Sequence, residues 1–375
     1  MSQSNLKQVA KLFLKLGTIG FGGPAAHIAM MQEEVVAKRK WLTQQHFLDL
    51  IGATNLIPGP NSTEMAIHIG REKAGWKGLI VAGFCFILPA VISTGIFAWL
   101  YKEYGQLPEV QPFIYGIKPA IIAIILGAVF PLAKKSLKSL ELVVIGIAVL
   151  ACSLLHFNEI YLMFGAGLLA LLLFSIRNNK SSNINSIFPF TFLQITSSTG
   201  LSATNANLFW IFLKVGAILY GSGYVLFAFL NTELVSTGLL SQQQLIDAIA
   251  VGQFTPGPVF SSVTFIGYQI NGMTGAIFST IGIFLPSFVF VVLLNPLVKK
   301  MRNSNSFSAF LDAVNVASVA IIFSVCFAMS KDTITDWRTI AITIASIALT
   351  FSYRKINSAF IVLGGSLLGY LLWLI

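Results

Sequence analysis

Charged residues are scarce in this sequence, and their scarcity excludes most soluble proteins. Only 10% of the 375 residues are charged and 55% are hydrophobic, whereas an ordinary soluble domain is about 25% charged. Several apolar runs reach the roughly 20 residues that a membrane-spanning helix needs. The runs lie at 78–100, 114–132, 142–155, 160–176, 208–230 and 275–297. This composition predicts an all-α polytopic membrane protein with about 10–13 membrane segments in the lipid bilayer.

Cysteine is also rare, and the motifs of common enzymes do not occur. Cys85, Cys152 and Cys326 lie singly inside apolar runs, which predicts packing residues with no disulfide and no metal site. The sequence has no paired catalytic carboxylates, no His/Cys cluster with metal-ligand spacing and no P-loop. We therefore expect neither an enzyme nor a primary pump, and no cofactor. The net charge of +10 comes from short Lys/Arg clusters between apolar runs, which are typical topology signals, so we expect no nucleic acid partner.

The two halves of the chain repeat each other. Four pairs of segments match in the same order: FLKLGTIGFG (13–22) with FLKVGAILYG (212–221), LTQQHFLDL (42–50) with LSQQQLIDA (240–248), IPGP (57–60) with TPGP (255–258), and GWKGLIVAGFCFILP (75–89) with GMTGAIFSTIGIFLP (272–286). The pattern indicates a tandem duplication. We predict a first repeat at 1–177, a Ser/Asn-rich linker at 178–207 and a second repeat at 208–375.

Basic residues change places between the two halves. In the first half they flank the PGP region at 38–40 and 71–77, whereas the matching stretch 236–274 contains none. The loop near Lys102 also carries acidic residues, whereas its counterpart carries Lys299, Lys300 and Arg302. Because Lys and Arg favour the cytoplasmic side, equivalent loops should lie on opposite faces of the membrane. The halves are therefore predicted to have inverted topology in the cell inner or plasma membrane.

Each half also contains a helix that is too short to cross. Thr43 and Ser241 are predicted N-caps, and a helix over 44–57 would be roughly 21 Å long against a bilayer core of about 30 Å. A second short helix over 61–73 follows, and the outer ends of both are basic. We predict a re-entrant hairpin in each half, entering from opposite sides. The two tips are Pro58, Gly59 and Pro60, and Pro256, Gly257 and Pro258.

The same motifs resemble a known family. The string FGGPAAHIAMMQEEVV (21–36), followed by WL, FLDL, IPGPNSTEMAIHIG and GW, resembles the chromate ion transporter family in its long two-domain form. The resemblance covers nearly the whole chain. The second half keeps PGP, but GSG (221–223) replaces GGP and VFSS (259–262) replaces NSTE. The resemblance implies chromate efflux that confers chromate resistance, with sulfate as a related oxyanion.

A buried oxyanion needs hydrogen-bond donors and positive potential, which helix N-termini supply. A half-helix begins after each tip, so we predict substrate-binding residues at Gly59, Asn61, Ser62, Thr63, Gly257, Ser261 and Ser262. The alternative is that each tip only shapes a kink that the hydroxyls cap. Gly22, Gly23 and Gly221 mark glycine-rich breaks that could form a second pair of tips in the substrate site.

Charged residues in apolar surroundings form a second set of candidates. Lys15 and Lys214 match across the repeat and would together balance a dianion, or would instead extend to the membrane surface. Glu64, His68 and His27 have no titratable match in the second half, which is compatible with proton coupling. Glu64 could equally belong to a capping box begun by Asn61. Two further matched acidic pairs fit interfacial hydrogen bonding: Asp49 with Asp247, and Glu34 with Glu233.

The sequence therefore predicts a secondary transporter of a tetrahedral oxyanion. Its main activity would be chromate efflux, driven by exchange for protons or for a counter-anion such as sulfate. The alternatives are an uptake carrier for sulfate or another oxyanion, and an anion channel of the same fold. The sequence leaves open whether two copies associate as a homodimer.

Overall fold

The computed structural model describes residues 3–178, 204–220, 223–293, 304–353 and 357–374, and all regular structure within these ranges is helical. The first half contains α1 (Gln3–Ile19), α2 (Gly23–Gln32), α3 (Gln44–Thr54), α4 (Asn61–Tyr104), α5 (Gln111–Ser136), α6 (Leu140–Leu154) and α7 (Glu159–Asn178). The second contains α8 (Asn205–Ile218), α9 (Val225–Leu230), α10 (Gln242–Phe254), α11 (Ser262–Leu293), α12 (Asn305–Thr333), α13 (Trp337–Ser352) and α14 (Ser358–Trp373). Gly221, Lys299, Lys300, Arg302 and most of the predicted linker lie outside the described residues.

Long apolar helices confirm the multi-pass class. Five in the described ranges are long and apolar enough to span a bilayer: Asn61–Tyr104, Gln111–Ser136, Glu159–Ile176, Val259–Leu293 and Asn305–Thr333. Shorter apolar helices accompany them. Large apolar side chains such as Phe84, Leu172 and Ile344 are about 60% exposed on the outer surface. That exposure would be unfavourable in water and is expected for residues that contact lipid.

The longest helix of each half is folded back on itself. Non-helical backbone interrupts α4 at Ala74 and Gly75, and nearly the same φ and ψ angles interrupt α11 at Asn271 and Gly272. Each helix thus consists of a short arm, 61–73 or 262–270, and a crossing arm, 76–104 or 273–293.

The short arm packs closely on its own crossing arm. A Cβ atom at Gly70 would collide with the carbonyl oxygen of Gly78, and one at Gly267 with that of Gly275. Glycine permits this approach because it carries no side chain.

The predicted N-caps are confirmed. The Thr43 hydroxyl accepts a hydrogen bond from the amide of His46, and Ser241 accepts one from Gln244 within a capping box. The predicted end of α3 at residue 57 is wrong, because the helix ends at Thr54. The helix ends early because Pro58 has no amide to donate and its ring would clash with the carbonyl four residues before it, that of Thr54.

The first helix of each half packs against the crossing arm of the same half. A Cβ atom at Gly17 would lie 2.5 Å from the carbonyl oxygen of Phe86, and one at Gly216 would lie 2.5 Å from that of Ile283. These are matched positions of the repeat, so the duplication extends to the helix contacts.

The two crossing arms run antiparallel. Arg71 lies just before the start of the crossing arm of the first half. It donates to the carbonyl of Val291, at the end of the crossing arm of the second half (3.3 Å). Gln269, beside the start of the second arm, donates to the carbonyl of Ala98 near the end of the first (2.9 Å). We call the surface near Arg71 the basic side and the surface near Tyr101 the opposite side.

Candidate functional site

The two tips are held by hydrogen bonds between the halves. The amide of Gly59 donates to the carbonyl of Leu219 (2.8 Å), and the amide of Gly257 donates to the carbonyl of Gly20 (2.7 Å). Gly59 and Gly257 have φ angles of 133° and 95°, which other residues rarely adopt. Both amides are therefore occupied by protein carbonyls. The glycines therefore position the tips, and substrate binding by Gly59 and Gly257 stays a prediction.

A short arm begins directly after each tip. In the first half, the amides of Thr63 and Glu64 both donate to the carbonyl of Pro60 (2.8 and 3.1 Å). In the second half, a 3-10 turn over Val259–Ser261 precedes the helix, and the amide of Ser261 donates to the carbonyl of Pro258 (2.9 Å). The positive ends of two helix dipoles thus lie beside the tips, where they favour negative charge.

Buried hydroxyl groups surround these helix ends. The side chains of Thr63, Ser261, Ser262 and Ser287 are at most 1% exposed. Within the described ranges, none of their hydroxyl oxygens has a hydrogen-bond partner. A buried hydroxyl without a partner costs about 1–3 kcal/mol, so an anion that accepts these hydrogen bonds would be stabilised.

The two remaining predicted polar residues of the first half are Ser62 and Asn61. Ser62 is buried like this group. Asn61 instead donates to the side-chain oxygen of Asn55 (2.8 Å), so its amide group is already engaged in the loop before the tip.

Glu64 lies at the first tip and is completely buried. A Cβ atom at Gly59 would collide with its Oε1 atom and would lie 2.9 Å from the hydroxyl of Ser287. Neither carboxylate oxygen of Glu64 has a partner among the described residues. The capping-box interpretation is wrong, because Pro60 is the N-cap and α4 has no side-chain cap. Glu64 therefore faces the crossing arm of the other half.

The second tip has different surroundings. Ser287 follows Pro286, and the matched position in the first half is Ala90, which follows Pro89. A Cβ atom at Gly257 would lie 2.7 Å from the methyl group of Ala90. The first tip thus faces a hydroxyl and a carboxylate, whereas the second faces a methyl group. Sequence reasoning missed Ser287. The difference between Ser287 and the matched Ala90 was a signal in the sequence that could have identified it.

The two predicted histidines lie at different tips. His27 Nε2 is 2.9 Å from the carbonyl oxygen of Gly20, which also accepts from Gly257 at the second tip. Since a carbonyl only accepts, Nε2 of His27 must carry a proton. His68 lies one turn beyond Glu64, is buried, and its Nε2 has no partner in the described part of the chain. Glu64 and His68 thus lie four residues apart on the first short arm, whereas His27 contacts the carbonyl that holds the second tip.

The matched lysines form matched ion pairs. Lys15 lies 2.8 Å from Glu34, and Lys214 lies 2.5 Å from Glu233. The glutamates lie on π-helical turns at Glu33–Lys38 and Asn231–Val235. Each lysine is thus paired with a carboxylate of its own half, and their joint contact with a dianion stays a prediction.

The family with the description "Chromate transporter" matches the chain twice, over residues 7–171 and 206–370. The chain belongs to the chromate transporter family. A chromate transport protein of Cupriavidus metallidurans is 31% identical over 97% of this chain and 92% of its own length. A probable chromate transport protein of Synechococcus elongatus is 28% identical over 98% of this chain and 96% of its own length. No solved structure matches significantly.

A half-length relative also matches this chromate transporter family member. An uncharacterised transporter of Bacillus subtilis is 25% identical over 158 residues, which is 41% of this chain and 89% of the relative. Together with the double family match, this supports two homologous halves in a multi-pass membrane transporter.

The glycine-rich break at Gly22 and Gly23 of this chain positions the second tip. Gly22 and Gly23 have φ angles of 100° and 78° between the end of α1 and Pro24 at the start of α2. This turn leaves the Gly20 carbonyl available to Gly257 and His27. Gly22 and Gly23 therefore shape the contact between the halves, and Gly221 lies outside the described residues.

Proposed function

We propose that the chain is a secondary transporter of a tetrahedral oxyanion, and that it exports chromate across the inner membrane. The main support for this proposal is a group of buried hydroxyls without hydrogen-bond partners beside two helix N-termini. They belong to Thr63, Ser261, Ser262 and Ser287. Neutral donors and helix dipoles hold an anion without a fixed positive charge that would impede its release. Two relatives carry the names chromate transport protein and probable chromate transport protein, which supports chromate as the substrate.

Alternating access would follow from the opposite entry of the two hairpins. His46, at the start of α3, lies 3.6 Å from Glu72 on the basic side. Asp247, near the start of α10, accepts a hydrogen bond from Tyr101 on the opposite side (2.6 Å). This arrangement supports an inverted repeat in which each hairpin closes one route to a shared site. The basic side would be cytoplasmic.

Glu64 would link transport to protons. A carboxylate beside the anion site repels a dianion when it is ionised, so protonation of Glu64 favours anion binding. A dianion that moves with one proton still carries one negative charge. An inside-negative membrane potential therefore favours its exit by about 2.3 kcal/mol per 100 mV. Exchange for sulfate would provide the alternative driving force.

Flux of labelled chromate and sulfate into proteoliposomes tests this proposal. A proton-linked carrier responds to an imposed pH gradient, and a counter-anion exchanger is accelerated by sulfate on the opposite side. Uptake that is unaffected by either gradient and shows no counterflow would indicate a channel. A purified, folded protein that moves neither anion would contradict the proposed function.

A further inference from the structure

A second buried polar cluster lies away from the tips, where α10 meets α4 and α5. Asp247 is 4% exposed, and its Oδ2 atom accepts a hydrogen bond from the Tyr101 hydroxyl at 2.6 Å. Gln243 donates to the same oxygen at 3.5 Å. Nζ of Lys118 lies 3.9 Å from the other oxygen, Oδ1. The cluster therefore joins one carboxylate of the second half to a cation of the first.

Lys118 is held more loosely than the two matched lysines. The nitrogens of Lys15 and Lys214 are 2.8 and 2.5 Å from their glutamates, within hydrogen-bond distance. The Lys118 nitrogen is beyond that distance from Asp247, and its side chain is only 17% exposed. The ammonium group is thus largely removed from water without a close carboxylate partner, so an additional anion would stabilise it.

The cluster lies between the opposite side and the second tip. Asp247 is in the second turn of α10, which begins at Gln242 and ends at Phe254, directly before Thr255 and the second tip. Phe254 lies seven positions after Asp247, which is a distance of roughly 10 Å along the helix axis. An anion that moves between the opposite side and the tips would therefore pass close to the level of Asp247 in the membrane.

The positive charge belongs to the first half alone. The matching segments PFIYGIKPA (112–120) and AFLDAVNVA (309–317) place Asn315 at the position of Lys118. The basic side therefore has no equivalent lysine in α12, so the two routes to the tips differ in charge.

We propose that Lys118 is a second anion-binding residue on the route from the opposite side, and that Asp247, 3.9 Å away, competes with the substrate for it. This inference rests on the proposed oxyanion transport. An arriving dianion displaces Asp247 from Lys118. Tyr101 and Gln243 continue to donate to the released carboxylate, so neither charge is left without a partner. When the anion moves on, Asp247 returns to the ammonium group.

Competition between Asp247 and the anion predicts opposite effects of two substitutions. Lys118→Asn, which introduces the residue of the second half, removes the cation and should weaken binding of labelled sulfate and chromate about tenfold. Asp247→Asn removes the competitor and should strengthen binding several-fold. Tyr101→Phe frees the carboxylate to hold Lys118 more tightly, and should weaken binding in the same direction as Lys118→Asn.

Equilibrium binding to the purified full chain and flux in proteoliposomes are measured separately. Lys138→Asn is the control, because Lys138 also pairs with a carboxylate, Asp312 (2.7 Å), but is 55% exposed. It should leave both readouts unchanged. Equal weakening by Lys118→Asn and Asp247→Asn, with recovery in the double variant, would show a purely structural pair and overturn the inference.

The two proposals fail in different ways. Opposite shifts in binding without any flux in the parent protein would support the Lys118 site and contradict transport. Normal flux in the parent protein, together with unchanged binding in Lys118→Asn and Tyr101→Phe, would contradict the Lys118 site and leave the transport proposal intact. The Tyr101→Phe variant keeps both charges, so it remains informative if a charge-neutralising variant does not fold.

Discussion

A carboxylate that is buried without a hydrogen-bond partner is costly, because the ion loses its hydration and gains nothing in return. Glu64 is in this situation, with the hydroxyl of Ser287 and the backbone of Gly59 beside it. A proton removes the cost by neutralising the group, and a bound anion makes that proton more favourable. At the scale of single residues, Glu64 is therefore the group that we propose to connect proton binding with anion binding.

Glu64→Gln should remove the pH dependence of chromate flux while largely preserving exchange of chromate for sulfate. Glutamine resembles the protonated acid in size and charge, so the site stays permanently in its anion-accepting form. Flux is measured in proteoliposomes from pH 6 to 8 with and without internal sulfate. The control variant is Glu72→Gln. Glu72 is an exposed glutamate on the same short arm as Glu64 and lies near His46 of α3. This variant should retain the normal pH profile. A normal profile in Glu64→Gln would assign proton coupling elsewhere.

The hydroxyl groups at the tips should each contribute modestly to anion affinity. Ser262→Ala and Ser287→Ala should raise the half-saturating anion concentration about twofold to tenfold, since a neutral hydrogen bond contributes roughly 0.5–1.5 kcal/mol. Thr94→Ala is the control, because the buried Thr94 hydroxyl already donates to the carbonyl of Ala90 (2.7 Å). Affinities that stay at the parent value in both serine variants would exclude these hydroxyls from the site.

At the scale of secondary structure elements, the short arms and their tips are the structural unit that both halves repeat. Each tip follows a short helix, donates one amide to the other half and precedes a new helix. The second arm begins with a 3-10 turn, and its tip faces Ala90 where the first faces Ser287. The two copies therefore keep the same backbone arrangement while their polar groups have diverged.

Alanine at either tip should reduce transport strongly. Gly59→Ala forces a side chain into a φ of 133° and against Glu64, and Gly257→Ala forces one into a φ of 95° and against Ala90. Both changes should displace a tip from its partner carbonyl in the other half. Flux per folded molecule is compared with that of Gly52→Ala, because no atom lies within 4 Å of a Cβ added at Gly52. Near-normal flux in well-folded tip variants would contradict a central role for the tips.

At the scale of the whole molecule, the antiparallel crossing arms support the proposed opposite orientation of the halves. The start of α3 lies on the basic side with Glu72, and the start of α10 lies near Tyr101 on the opposite side. In the proposed transport cycle, a pseudo-symmetric pair of hairpins on opposite faces would provide two alternative closures of one site.

Single cysteines should therefore react from different sides. In a background where Cys85, Cys152 and Cys326 are alanine, a cysteine at Thr43 should be labelled from the cytoplasm and one at Ser241 from outside, by a membrane-impermeant maleimide on cells and inverted vesicles. Both positions are exposed N-caps. Labelling of both from a single face would contradict the inverted arrangement.

Much of the element order could be predicted from the sequence. The duplication, the N-caps at Thr43 and Ser241, and the start of a new helix at Asn61 depend on local patterns of hydroxyl, proline and glycine residues. The end of α3 was predicted too late, because the effect of Pro58 extends into the preceding turn. The capping role of Glu64 failed as well, because Pro60 rather than Asn61 is the N-cap.

The sequence by itself determined the membrane class, the two homologous halves and the positions of the PGP breaks, since apolar content and proline act locally along the chain. Only the tertiary structure decided which groups face each other. The hydroxyl of Ser287 lies beside Glu64, the carbonyl of Leu219 receives Gly59, and Lys118 approaches Asp247. These partners are more than 100 residues apart, and their contacts arise from packing one half against the other, which no local pattern encodes.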